Sequence, residues 1–221
     1  MNKIRIWDLP TRLFHWALPV ALLVLFITGD LGGNLMEWHM RTGYAVGALV
    51  LFRLIWGFVG GRWSRFSSFV PTPQRLLAYL KGQPGAFSGA GHNPIGAFSV
   101  LAMLLVLALQ VGTGLVSDDE IAFTGPLYSF VSSQISGLAT WYHKEVGSTI
   151  LLVLVGLHLA AIVFYRAVKQ QRLVHAMLSG DQAVNDQELS PSQDSTADRL
   201  LAPAVFAGCA AGMAYIASLG G

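Results

Sequence analysis

The chain has 221 residues, of which 53% are hydrophobic and only 12% charged, with a formal net charge of +2. A soluble domain carries about 25% charged residues, so the composition argues against a water-soluble enzyme and a disordered chain, and for the bilayer as solvent. No basic cluster is interleaved with aromatics, which argues against a nucleic-acid partner. The single cysteine, Cys209, excludes an intrachain disulfide, a Cys-x-x-Cys-His haem attachment, a thiolate zinc cluster and an iron–sulfur cluster.

Five apolar runs are read in chain order, at about residues 13–31, 38–60, 95–116, 142–165 and 200–219. Only a helix satisfies its own backbone in lipid within a single open segment, so each run is expected to be a membrane-spanning helix. The first has a basic start, but His15 and Pro19 interrupt it and no small-x-small site follows, so a retained helix is expected rather than a signal peptide. Residues 71–81 are amphipathic and should lie along the inner surface, and residues 125–140 should form an outer cap. Residues 181–199, rich in Asp, Gln and Ser, read as a flexible cytoplasmic linker. The Ala- and Gly-rich segment 200–221 is long enough for a fifth span, and its small residues suit close packing on a neighbour.

The charges orient these spans. Lys3, Arg5, Arg12, Arg53, Arg62, Arg65, Arg75, Lys81, Arg166, Lys169 and Arg172 all fall at one set of ends. The other set carries only Arg41 and Lys144, against Asp30, Glu37, Asp118, Asp119, Glu120 and Glu145. The positive-inside rule then places the N-terminus in the cytoplasm.

An ionisable side chain inside a span is costly and marks function. Four of the six histidines, His15, His39, His143 and His158, lie in or at the ends of spans. His143 and His158 share one helix face within ~60° but are ~22 Å apart along its axis. One metal cannot bridge that distance, whereas two stacked cofactors can. By depth, His15 pairs with His158 near the inner face and His39 with His143 at the outer face. Each pair comes from two helices, as bis-histidine haem ligation requires, and leaves no open axial position for oxygen chemistry. Gly43 and Gly47 follow His39 at one and two turns, Gly147 follows His143 by one, and Gly29 shares the face of His15. These glycines fit either a cofactor gap or plain helix packing. Arg53 lies ~21 Å deeper than His39 on nearly the same face. It could neutralise an inner haem propionate or snorkel to the cytoplasm, and Arg12 and Arg41 are similar propionate candidates. A lone interfacial histidine is more often a headgroup-level polar residue; the joint depth matching favours ligands. His92, in a turn before the third span, and His175 read as ordinary polar residues. Zinc would need three or four converging ligands. A proton-coupled transporter would show repeated halves and a mid-span charge.

Arg12-Leu13-Phe14-His15-Trp16, Trp38-His39-Met40-Arg41-Thr42-Gly43-Tyr44, Phe52-Arg53-Leu54-Ile55-Trp56-Gly57-Phe58, Gly91-His92-Asn93-Pro94 and Gly156-Leu157-His158 together resemble the bacterial membrane cytochrome b family. That family includes the cytochrome b subunits of nickel–iron hydrogenases and small di-haem b cytochromes. The resemblance spans roughly residues 3–180. It implies a four-helix core that holds non-covalent haem b and exchanges electrons between quinone and a partner redox protein, with His15, His39 and His158 as ligands. Relatives tend to show His followed directly by Glu at the start of the fourth span. Here the run is His143-Lys144-Glu145, an extra residue that would turn the histidine by about 100° relative to Glu145.

The expectation is an all-α integral membrane protein: a four-helix haem-binding bundle over residues 1–180, a linker over 181–199 and a fifth transmembrane helix over 200–221. Its expected function is electron transfer through two haem b groups. The expected partners are quinone or quinol, a cytochrome c or a hydrogenase or dehydrogenase subunit, and membrane lipid. The alternatives are a hydrogenase or dehydrogenase anchor and, outside the class, a redox-silent scaffold or transporter.

Overall fold

The computed structural model describes residues 2–83, 90–184, 189–192 and 194–220. Strand β1 (Asn2–Arg5) precedes helix α1 (Leu9–Leu31), and a 3-10 turn leads into α2 (Met36–Val59). Two short helices follow, α3 (Phe66–Phe69) and α4 (Pro73–Leu80), then α5 (Pro94–Leu115). Helix α6 (Ser133–Trp141) continues through a π-helical turn (Tyr142–Gly147) into α7 (Ser148–Ala167). The chain ends with α8 (Leu173–Ser179), strand β2 (Asp181–Val184) and α9 (Thr196–Ser218).

Among the described residues five stretches are long and apolar enough to cross a bilayer: Leu9–Leu31, Gly33–Val59, Pro94–Leu115, Ser133–Ala167 and Thr196–Ser218. The chain is an all-α, multi-pass membrane protein. Pro19 and Pro203 sit inside α1 and α9, where membrane helices tolerate them. The fourth span starts at Ser133 rather than Tyr142, so much of the expected outer cap is helix. Ser132 supplies the reason: its hydroxyl accepts the Ile135 N–H and caps α6.

Contacts divide the described residues into two compact units. The first comprises residues 1–13, 53–102 and 156–202. Here β1 pairs antiparallel with β2, Arg5 opposite Asp181. Arg5 binds the carboxylates of Asp181 at 2.6 Å and Asp194 at 2.9 Å, and its carbonyl accepts the Ser192 N–H. The expected flexible linker is therefore structured at both ends; residues 185–188 and 193 lie outside the described residues. Two of its acidic residues, Asp181 and Asp194, hold Arg5. Ile6, Trp7, Trp63, Ala90 and Ala176 form a small core beneath the sheet. Asp8, fully buried, caps α1 by accepting the Thr11 N–H. Its other oxygen collects the Trp56 indole N–H, the Gly61 N–H and the Ser64 hydroxyl.

The second unit comprises residues 14–52, 103–155 and 203–221. In it α9 seats on α2. Phe206 meets Phe52 edge-on at 6.0 Å, and a Cβ on Gly47 would lie 2.6 Å from the Met213 methyl.

Candidate functional site

Within the second unit, His39 on α2 and His143 in the π turn face each other, ring centres 6.0 Å apart and planes at 81°. They border a cavity of about 450 Å³. Its walls are largely apolar, including Leu22, Leu25, Phe26, Leu107, Val111 and Leu151.

Each imidazole is held the same way. His39 Nδ1 donates to the Leu25 carbonyl of α1 at 3.0 Å. His143 Nδ1 donates to the Gln110 carbonyl of α5 at 2.8 Å. A carbonyl only accepts, so Nδ1 carries the proton in both rings and Nε2 keeps its lone pair. Three residues beyond each carbonyl stands a threonine, Thr28 or Thr113, whose hydroxyl is 3.5 Å from the same Nδ1. One residue further is a glycine against the ring. A Cβ would lie 3.1 Å from the His39 ring at Gly29 and 2.9 Å from the His143 ring at Gly114. Both helices thus present a carbonyl, a threonine and a glycine along one edge to a histidine of the neighbouring helix.

This arrangement fits haem b. Two imidazoles on opposite sides of one iron, each at a metal–nitrogen distance of ~2 Å, have ring centres ~6 Å apart. The Nδ1 bonds are those that orient a ligating histidine and raise its basicity. Among the described residues no three His, Cys, Asp or Glu side chains gather as a zinc site would need.

The extra residue after His143 does not turn its ring away from His39. A π turn bonds i to i+5 and absorbs one more residue than an α turn. An uninterrupted α-helix would have carried the ring about 100° round. Sequence periodicity cannot register such a turn.

The other expected site residues are distributed as follows. Gly43 lines the cavity, and a Cβ there would meet nothing within 4 Å. Gly47 faces Met213 and Val111 instead, so its role is helix packing. Arg41 is exposed, paired with Glu37 one turn back and set over the Trp38 ring; Lys144 lines the cavity. Arg12, in the first unit, donates to the Leu178 carbonyl at the end of α8. Arg53, also there, is 3% exposed, lies 5.0 Å over the Phe66 ring and leaves Nη1 without a hydrogen bond among the described residues. His15 on α1 and His158 on α7 are half-buried and fall in different units. His92 packs between Trp7 and Phe69, at 4.7 and 4.6 Å, and His175 is exposed on α8.

The chain is similar to several known bacterial proteins. A protein of Bradyrhizobium diazoefficiens described as "Probable Ni/Fe-hydrogenase B-type cytochrome subunit" is 23% identical over 219 residues, covering 83% of this chain and 87% of its own. Proteins with the same description from Rhizobium leguminosarum bv. viciae and Cupriavidus necator are each 24% identical. They cover 85% and 82% of this chain and 92% and 87% of their own. No solved structure matches. The sequence pattern of the prokaryotic cytochrome b561 family matches residues 6–180, most of the chain, and the chain belongs to that family of membrane b-type cytochromes.

Proposed function

We propose that this b-type cytochrome carries electrons across the bacterial inner membrane through two haem b groups. They would run between the quinone pool and a hydrogenase-type enzyme that docks on it. The observation that carries the reading is the facing pair His39 and His143, each with Nδ1 committed to a main-chain carbonyl and Nε2 left to bind iron. The relatives' descriptions support the hydrogenase partner.

Haem b, when bound, supplies a one-electron iron couple. The chain does the rest. His39 and His143 would hold the haem iron, and the Leu25 and Gln110 carbonyls keep the rings from rotating. Leucine, valine and phenylalanine side chains keep water out and the local dielectric low, which bears on potential. Lys144 on the cavity wall is the better outer propionate partner, because Arg41 would first have to leave Glu37. The inner haem, on His15 and His158, rests on matched depth in the sequence. Arg53, with a buried Nη1 that makes no hydrogen bond among the described residues, supports an anionic neighbour. The positive-inside distribution supports a cytoplasmic N-terminus.

A pyridine haemochrome assay tests this directly. The expected result is two haems per chain, with His143→Ala and His158→Ala each removing a different one. A count of one, or retention of both haems in His158→Ala, overturns the two-haem reading.

A further inference from the structure

We infer that Gln110 is a positioning residue for the outer haem ligand, acting as a two-way latch between α5 and the π turn. This inference rests on the assignment of His143 as a ligand.

Gln110 meets His143 twice. Its main-chain carbonyl accepts the imidazole Nδ1–H at 2.8 Å, and its side-chain Nε2 donates to the His143 carbonyl at 2.9 Å. The first bond sets the ring, and the second sets the backbone that carries the ring. The amide orientation is fixed, because the reversed group would place two oxygens against each other. A carbonyl oxygen has two lone pairs, so the His143 carbonyl can take this bond beside its helical one. A π turn needs such support: it is a rare, wide turn that occurs as a single interruption of an α-helix. Without an outside anchor, an α-helical register that swings the ring is the competing state.

Gly147 completes the latch. A Cβ there would collide with Gln110 Oε1. That oxygen is buried and accepts no hydrogen bond among the described residues. The amide is therefore wedged between the π-turn backbone and the one position on it without a side chain. Leu25, which holds His39, offers only a carbonyl. The latch is thus specific to the histidine that sits in the irregular turn.

The experiment uses the full chain with its haem, in detergent. The readouts are the EPR g values of the ferric low-spin haem lost in His143→Ala, and the rate of haem transfer to apomyoglobin. Gln110→Met keeps side-chain volume and removes the donor. It is expected to shift those g values and speed release of that haem by about tenfold or more, as loss of a ligand-orienting contact does. Gly147→Ala is expected to give the same signature with Gln110 still present. In a Gln110→Ala background, Gly147→Ala should add nothing, because both act through one contact. Wild-type g values and release rate in Gln110→Met overturn the latch, as does an undiminished Gly147→Ala effect in the Gln110→Ala background. If Gln110→Met fails to fold by circular dichroism, Gly147→Ala carries the test, since it leaves α5 unchanged. Should His143→Ala keep every haem, the ligand assignment falls and the latch with it, an outcome distinct from a silent Gln110→Met.

Discussion

His39 and His143 stand ring to ring, 6.0 Å between centres and 81° between planes, although they are brought from two separate helices. If they share one iron, removing either must have the same consequence. His39→Ala and His143→Ala are each expected to lose the same haem, seen as identical reduced-minus-oxidised difference spectra. Spectra that differ between the two variants would assign the histidines to separate sites.

The glycine contacts grade a second expectation. A Cβ at Gly114 would sit 2.9 Å from the His143 ring, and one at Gly29 3.1 Å from the His39 ring. The first is closer than real Cβ contacts come, so the ring must move; the second requires a shift of a few tenths of an ångström. Gly114→Ala should weaken haem retention by about tenfold or more, and Gly29→Ala by distinctly less. The haem transfer rate to apomyoglobin measures both. Equal rates in the two variants would mean that the gap is not shaped by these glycines.

The spans, and the closeness of His39 to His143, were legible because charge is scarce and apolar runs are long. What escaped reading has physical causes. Asp8 gathers four donors from residues up to Ser64, which no local pattern reveals. The π turn at His143 has the composition of ordinary helix. Gly47 lies on the His39 side of α2 by simple periodicity, yet its neighbour is Met213 of a helix that arrives last in the chain. Arg5 reads as a charge at an inner end and residues 181–199 as a linker, yet Arg5 binds both Asp181 and Asp194.

Asp8 should be among the most sensitive positions for stability. Replacing it with alanine strips the Trp56 indole N–H, the Gly61 N–H and the Ser64 hydroxyl of a charged acceptor and removes the α1 cap. A buried hydrogen bond to a charged group contributes about 1.5–3 kcal/mol. With several donors relaxing together, the loss is expected at about 3 kcal/mol or more. Thermal unfolding of the Asp8→Ala protein, followed by circular dichroism, should show a large drop in Tm. The haem spectrum of the surviving folded fraction should be unchanged.

Acid should loosen the β1–β2 region through Asp194. Hydrogen bonds from the Arg199 guanidinium hold its carboxyl below the usual range; partial burial opposes this, and the charges of Arg199 and Arg5 add to it. A carboxyl with a lowered folded-state pKa stabilises the fold above its unfolded value of ~3.9 and loses that contribution as pH falls through the folded value. Protease sensitivity of the chain near Arg5 and Asp194 should therefore rise as pH drops below ~4. Asp194→Asn should show high sensitivity already at neutral pH, with a flatter profile. An unchanged profile in Asp194→Asn would place the acid response elsewhere.

The fifth span offers the clearest test of whether it belongs to the body of the protein. On α9, Met213 lies against Gly47 and Val111, Phe206 meets Phe52, and Cys209, one turn before Met213, is buried and carries the chain's single thiol. If α9 is seated as described, Cys209 in detergent-solubilised protein should react slowly with N-ethylmaleimide. Gly47→Ala should change little, because the atom it meets is the flexible end of a methionine. Gly47→Leu cannot be accommodated by moving that methyl alone, since Val111 stands on the same side. It should push α9 off and raise the labelling rate by about tenfold or more, as expected when a packed element opens locally. The haem proposed for His39 and His143 should survive the release of α9, because neither Met213 nor Cys209 lines that cavity. Fast labelling of the unaltered protein would mean that α9 is a loosely held tail.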